Sequence, residues 1–481
     1  MSLELLAPAN TQNSRATAQS AFARFLKEQE VNALHVHSSI DCDATGARLV
    51  AVMDRFGLFL ARQTASDGNF LAPGTVMAYY RHVKLTLLGR YPLQKAATDD
   101  ILLSKGKMLE KYCKKRVEGT FIQKAPSCTQ DDLTMLQESI YTAGNSLRDY
   151  QDAALLCLMW HCFGRASDLA FVQKQHLSMA PDGAVFVRLL RVKTSQEQGL
   201  TLVPARADYL ACPLTALALA LAMQESPSMS LLSQMPKLIA PVAVAADPSV
   251  SLFELLDASP DEISGTATDA ARAPSRVKAE VGIHGYINRI LRRVQLPPQA
   301  TRGLTSHSFR RGGAQHADAN DRLASQWIMD RGAWNMSATN KMYAYVFNTP
   351  KEDRKVARVL SGWSADDKAQ TICLQALDSS IRAELAKLQS LLYSACSGHN
   401  DRRLNVDNAV MGIHTATLVQ HLPVLKALGA DSTIIQRIDA CAVAAEVAPV
   451  ELVAWSEALR RIVEPEITED AAVDEPKTLA K

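Results

Sequence analysis

The chain of 481 residues lacks any apolar run long enough to cross a bilayer as a helix. The longest, Ala211 to Met223, contains Pro213 and Thr215 and falls short of the ~20 residues such a span needs, so no membrane partner is expected. Also missing is a CxxC pair. The nine cysteines are scattered and odd in number, the pattern of reduced thiols in an intracellular protein. Net charge is nearly absent, +2 from 52 Lys+Arg against 50 Asp+Glu, so bulk charge names no partner. The opening MSLELLAPANTQNS does not follow the basic-then-apolar order of a secretory signal, and the chain shows no internal repeats. A hydrophobic fraction of 47% excludes wholesale disorder. At about 150 residues per domain, the length predicts roughly three domains.

What is present is local charge asymmetry. Residues 75–125 hold eleven Lys/Arg against four acids, and residues 272–311 hold nine against one. The rest of the chain is therefore acidic. Two basic segments in an acidic chain suit a polyanion, because clustered cations displace the counterions condensed on phosphates. Solvated helix faces would give the same pattern.

Residues 1–15 read as disordered and residues 16–125 as helical, with amphipathic runs at 18–29, 47–62, 76–88 and 100–116 and Thr75 as a candidate N-cap. A second unit begins near Ser127, where Thr129 and Asp132 have capping-box spacing. Helices are predicted over 133–142 and 150–163. A β-hairpin follows over 185–194 and 200–204 around the turn-like Ser195–Gly199, and a helix over 212–224. Residues 224–275 hold six prolines and much Ser, Ala and Asp, and read as a surface insertion with a possible turn at 252–256. Helical pattern resumes over 282–294, 309–321 and 340–347. Beyond 360, Ile372, Leu374, Leu377, Ile381, Leu385, Leu388 and Leu392 form an apolar stripe, suited to a contact between protomers or to packing inside its own domain. Two or three further helices reach Val463, and an acidic tail, 464–481, reads as disordered.

Three separated segments carry chemistry. Arg165, closing the apolar run Leu155–Phe163, has Asp168 three residues on, which can orient a fixed guanidinium. In Thr305-Ser-His307-Ser-Phe-Arg310-Arg311-Gly-Gly-Ala314, His307 and Arg310 stand one helical turn apart and can face one pocket. Gly312 and Gly313 permit close approach by another segment or a phosphodiester. Trp334 precedes Tyr343 by nine residues, with Ser and Thr between them able to start a helix. Taken alone, each reads more readily as an ion pair, a capping histidine or a core tyrosine. Cys396 and His399 are two metal-ligand types without partners, and chance explains them as well.

Taken in order, these segments resemble the tyrosine recombinase (phage integrase) family over roughly residues 20–350, and Lys193 stands at the family's hairpin lysine position. The string HSFRRGGA is closest to eukaryotic mobile-element recombinases of the Crypton and DIRS type. Leu71–Tyr80 and Ala211–Leu214 also resemble family segments, while the long insertion departs from the pattern. The resemblance implies a mostly α fold with a small β-hairpin or sheet. It implies a helical core-binding domain over 16–125 and a catalytic domain over 126–360 with the insertion at 224–275; the helical C-terminal region, 361–463, is read from its own periodicity and matches no family segment. The resemblance also implies a 3′-phosphotyrosyl intermediate on Tyr343. Arg165, His307, Arg310 and Trp334 would surround the phosphate, with Asp168 behind Arg165, His307 as base and Lys193 as acid toward the leaving oxygen. Arg81, Lys84, Lys114, Lys115, Arg116 and Arg311 are the expected DNA contacts. The implied partner is double-stranded DNA bound by a homo-tetramer, the implied location the nucleus, and no metal, ATP or other cofactor is expected. A catalytically retired DNA-binding descendant and a type IB topoisomerase are the alternatives.

Overall fold

The computed structural model describes residues 9–66, 68–116, 124–180, 183–193, 196–236, 282–334, 350–369, 371–372 and 374–463. Tyr343, most of the insertion, the expected turn at 252–256, the expected helix at 340–347 and the acidic tail lie outside them. The fold is mostly helical with one small antiparallel sheet, and the described residues fall into two compact units.

The first unit, 9–116, contains α1 (Ala9–Glu28), α2 (Ala33–Asp41), α3 (Ala47–Arg62), α4 (Pro73–Arg90) and α5 (Pro92–Lys115). Residues 9–15, expected to be disordered, are the first turns of α1. Helix α4 starts at Pro73 rather than at a Thr75 cap, because a proline at the first position gives up an N–H that has no helical partner anyway. The core is built on Phe22, Phe25, Phe56 and Phe59, whose neighbouring rings have centroids 5.2–6.2 Å apart, within the range of favourable edge and tilted contacts.

The second unit, described over 124–236 and 282–463, opens on the predicted capping box. Thr129 Oγ1 accepts from the Asp132 N–H at 3.0 Å, and the Thr129 N–H donates to the Asp132 carboxylate at 2.8 Å, starting α6 (Gln130–Thr142). Helix α7 (Leu147–His161) follows, and every residue from Tyr150 to His161 is buried. Such a helix must be covered on all sides. Among its neighbours is α9 (Pro213–Ala222), itself wholly buried. Between them come the short α8 (Ala166–Ala170) and the strands β1 (Leu177–Met179), β2 (Val185–Arg191) and β3 (Gln196–Leu202) in order β1-β2-β3. The hairpin turn lies earlier than the sequence predicts. Arg191 pairs with Gln196, so Gln196–Gly199 belongs to β3. Gly199 is needed there, since a Cβ would sit 1.9 Å from the Phe186 ring.

The chain continues through α10 (Ile283–Arg293), α11 (Ser306–Asp318), α12 (Ser325–Arg331), α13 (Pro350–Leu360), α14 (Ser379–Leu392), α15 (Asn408–Leu428), α16 (Thr433–Ala444) and α17 (Pro449–Val463). Residues beyond 360, set apart by the sequence as a third region, share one hydrophobic core with residues 128–360. The stripe at 372–392 is largely interior to this unit, with Leu385, Leu388 and Leu392 buried, so its packing reading holds over a protomer contact. The Lys174 ammonium donates to the Ala395 carbonyl at 2.9 Å, joining the same two stretches of chain.

Candidate functional site

Two helices end side by side, bridged by one arginine. Helix α7 finishes in a Schellman motif, with the Gly164 N–H on the Met159 carbonyl (3.1 Å) and Phe163 in the left-handed region at φ 45°. Helix α12 ends the same way, with the Trp334 N–H on the Met329 carbonyl (3.0 Å) and Ala333 at φ 46°. A helix C-terminus gathers unpaired carbonyls and partial negative charge, and cations settle there. Three buried arginines do so here.

Arg310, on α11, donates from Nη1 to the Phe163 carbonyl and from Nη2 to the Gly332 carbonyl. Its guanidinium lies over the Trp334 ring, 4.6 Å from the centroid. Arg191, at the end of β2, donates to the carbonyls of Cys162 (3.0 Å), Phe163 (3.3 Å) and Arg331 (2.7 Å) and to Gln198 (2.8 Å). Arg331 donates to the His161 and Thr201 carbonyls and pairs with the Asp353 carboxylate.

Asp168 is wholly buried and joins the first sequence segment to the hairpin. Its carboxylate accepts from the Arg165 N–H (3.2 Å), from Arg191 Nη1 (3.2 Å) and from the Val192 N–H (3.1 Å). The last bond grips the hairpin one residue before Lys193, which is exposed in the turn. Arg165 Nη1 stands 3.8 Å from the same carboxylate, and that nitrogen is buried without a hydrogen-bond partner. Arg310 forms no ion pair among the described residues. Asp168 is thus the one carboxylate among them paired with Arg165 or Arg191, and Arg310 has none. Burial, then repulsion from Arg165 and Arg191, brings Arg310 down to about 9 from the usual arginine range. Burial likewise lowers Arg191.

His307, exposed in the first turn of α11, sits beside Arg165 and Arg310, and burial of part of its ring, then His284, Arg165 and Arg310, lower its pKa. The ring face of Trp334 is committed to Arg310 and to Phe163, whose centroid is 6.0 Å away, so what the structure shows for Trp334 is support of the guanidinium.

The expected site residues Arg165, Asp168, Lys193, His307, Arg310 and Trp334 all belong to this unit, and the carbonyl ends of α7 and α12 tie several of them together. Tyr343 lies outside the described residues. Arg191 is missing from the sequence set. Its signal is strand alternation, for Val185, Val187, Leu189 and Arg191 all point to the buried face. Of the expected DNA contacts, Arg81, Lys114 and Lys115 are exposed, Lys114 while paired with Glu110 (2.6 Å). Lys84 is paired with Asp99 (2.8 Å). Arg116 donates to the Ala61 and Leu71 carbonyls and covers the Phe70 ring, and Arg311 donates to the Ala125 carbonyl (2.9 Å). These last two hold chain segments in place, a role their charge alone did not reveal.

No known protein-family profile matches this chain, and no curated protein matches it. Among solved structures it is similar to an Flpe–Holliday junction complex at 13% identity and a TM-score of 0.38, covering 86% of this chain and 98% of that one. An FLP recombinase–Holliday junction complex follows at 14% identity and a TM-score of 0.37, with the same coverage.

Proposed function

We propose that this chain is a site-specific DNA recombinase or transposase that cuts and rejoins DNA through a phosphotyrosyl intermediate. One observation carries the reading: positive charge is gathered in a buried site without enough carboxylate among the described residues to balance it. Arg310 is buried with no counterion among the described residues, and Arg165 keeps a buried nitrogen with no hydrogen-bond partner. Buried cations need an anion, and a phosphodiester supplies one with the planar oxygen pairs that guanidinium groups grip.

Phosphoryl transfer builds charge on the non-bridging oxygens, and donors already fixed around them lower the barrier. Helix-end carbonyls use one N–H on each terminal nitrogen of Arg310 and leave the others for phosphate. Asp168 fixes Arg165 and the root of the Lys193 hairpin together, coupling the clamp to the acid that would protonate the leaving oxygen. His307, with its pKa lowered, is a free imidazole near neutral pH and suits the base role toward a tyrosine hydroxyl. Tyr343, nine residues after Trp334, is the nucleophile that the family resemblance assigns. The phosphotyrosyl bond retains the phosphodiester's energy, so this chemistry calls for neither ATP nor metal. The HSFRRGGA string supports placement among Crypton and DIRS-type mobile-element recombinases, and with it a nuclear location and a tetramer on synapsed DNA.

The test is incubation of the full chain with DNA flanking its gene, scored for a covalent protein–DNA adduct. The wild type forms the adduct, and Tyr343→Phe binds the same DNA without forming it. An adduct formed by the phenylalanine variant would refute the assignment.

A further inference from the structure

Helix α10 is fastened to α7 by three contacts. The Tyr286 hydroxyl donates to the Asp152 carboxylate, and Arg293 bonds Asp149 (2.7 Å) and Asp152 (3.0 Å). This anchoring sets the first turn of α10, and with it His284, against the first turn of α11. His284 Nδ1 and the Ser306 hydroxyl are hydrogen-bonded at 2.9 Å. The His284 ring stacks on His307, with centroids 5.7 Å apart and planes 28° from parallel. Ser306 is buried, while both imidazoles are exposed. One ring is therefore tied by a hydrogen bond and laid flat on the other, at the edge of the arginine site.

We propose that His284 is a positioning residue of this site, fixing the ring plane of His307 beside Arg165 and Arg310. The inference rests on the reading of the site as a phosphoryl-transfer centre with His307 as its base. Nothing in the spacing of the sequence segments selects His284, because it reaches His307 from a different helix. The stack restrains rotation of the His307 ring, so the nitrogen that takes the proton keeps one direction. It also affects charge. Among the described residues, the charged groups acting on His307 are His284 on α10, Arg165 before α8 and Arg310 on its own helix, all cationic or able to become so. Two imidazolium rings in contact repel, and each covers part of the other from water. Both effects disfavour protonated His307.

The experiment uses the full chain with isotope-labelled histidine, wild type beside His284→Ala and His284→Phe, with His307→Gln to assign the signal. Imidazole resonances are followed through pH, and the adduct rate is measured over the same range. With alanine, the His307 midpoint rises, the acid limb of the rate moves to higher pH, and the rate falls roughly ten- to a hundred-fold, the usual loss when a ligand-orienting neighbour is removed. Phenylalanine keeps the stack, so its midpoint lies between the two and most of the rate returns. An unchanged His307 midpoint and rate profile in the alanine variant would overturn the proposal. Absence of any adduct from the wild type would overturn the recombinase reading instead, while the titration would still decide whether His284 governs His307.

Discussion

Phe163 and Ala333 hold left-handed backbone that an L side chain resists by about 1–2 kcal/mol. The cost is tolerated because each sits at a helix end whose carbonyl is turned onto Arg310. Phe163 also recovers contact, its ring lying beside Trp334 and beneath Arg331. Ala333 is half-buried and offers only a methyl group. Ala333→Gly is therefore expected to raise stability by up to about 1 kcal/mol, less the entropy that glycine adds to the unfolded chain. The midpoint of urea unfolding measures it, and a lower midpoint would show that the methyl contacts outweigh the strain. The same residues explain what was legible. Arg165 with Asp168, and His307 with Arg310, are local spacings on a helix start or a single helical turn, so sequence order exposes them. The carbonyls that hold Arg310 come from positions far away in the chain. Backbone oxygens carry no residue signature, and only the packed fold selects them.

Helix α11 is the element on which the site depends most closely, because it approaches bare backbone. A Cβ at position 312 would lie 1.7 Å from the Cys128 carbonyl oxygen, and one at 313 would lie 2.4 Å from that of Trp160. The Cys128 N–H donates to the Ser308 carbonyl (3.0 Å), and the Trp160 indole N–H donates to the Cys128 carbonyl (3.1 Å). The helix cannot shift without breaking this seam. Gly312→Ala is expected to cost about 3 kcal/mol, the upper end for overpacking, and to lower adduct yield by displacing Arg310. Chemical denaturation tests this, and a loss under ~0.5 kcal/mol would mean that the seam yields. The sequence offers two partners for this glycine pair, protein or phosphodiester, and the structure shows protein. The early hairpin turn and the short helices α2 and α12 were less legible. Their limits follow cross-strand pairing and tertiary packing rather than an amphipathic run.

Across the whole molecule, buried imidazoles set the response to acid. His161 and His414 are buried, and burial pushes His161 down to about 3 and His414 to about 4; partly covered His421 is also lowered to about 4. An unfolded histidine takes up a proton near its ordinary pKa of ~6.5, whereas these stay neutral while folded. A depressed folded pKa on a base means that stability is present above the unfolded value and is lost as pH falls toward the folded one. Asp152 opposes them. Burial raises it to about 6, so the folded chain gains a proton there first, and stability is recovered on acidification. Between pH 6 and 4, these three histidines against this aspartate contribute a net uptake of about two protons on unfolding. At ~1.4 kcal/mol per proton and pH unit, stability should fall by roughly 2–3 kcal/mol per unit. Urea unfolding at half-unit steps from pH 7 to 4 measures the slope. A flat profile, or maximal stability near pH 4, would show that these rings are protonated inside the fold. The slope belongs to the unit that contains the arginine site, so the proposed DNA cleavage should fail in acid by unfolding as well as by protonation of His307, its proposed base. The two causes separate because bound DNA, by favouring the folded state, shifts the first to lower pH.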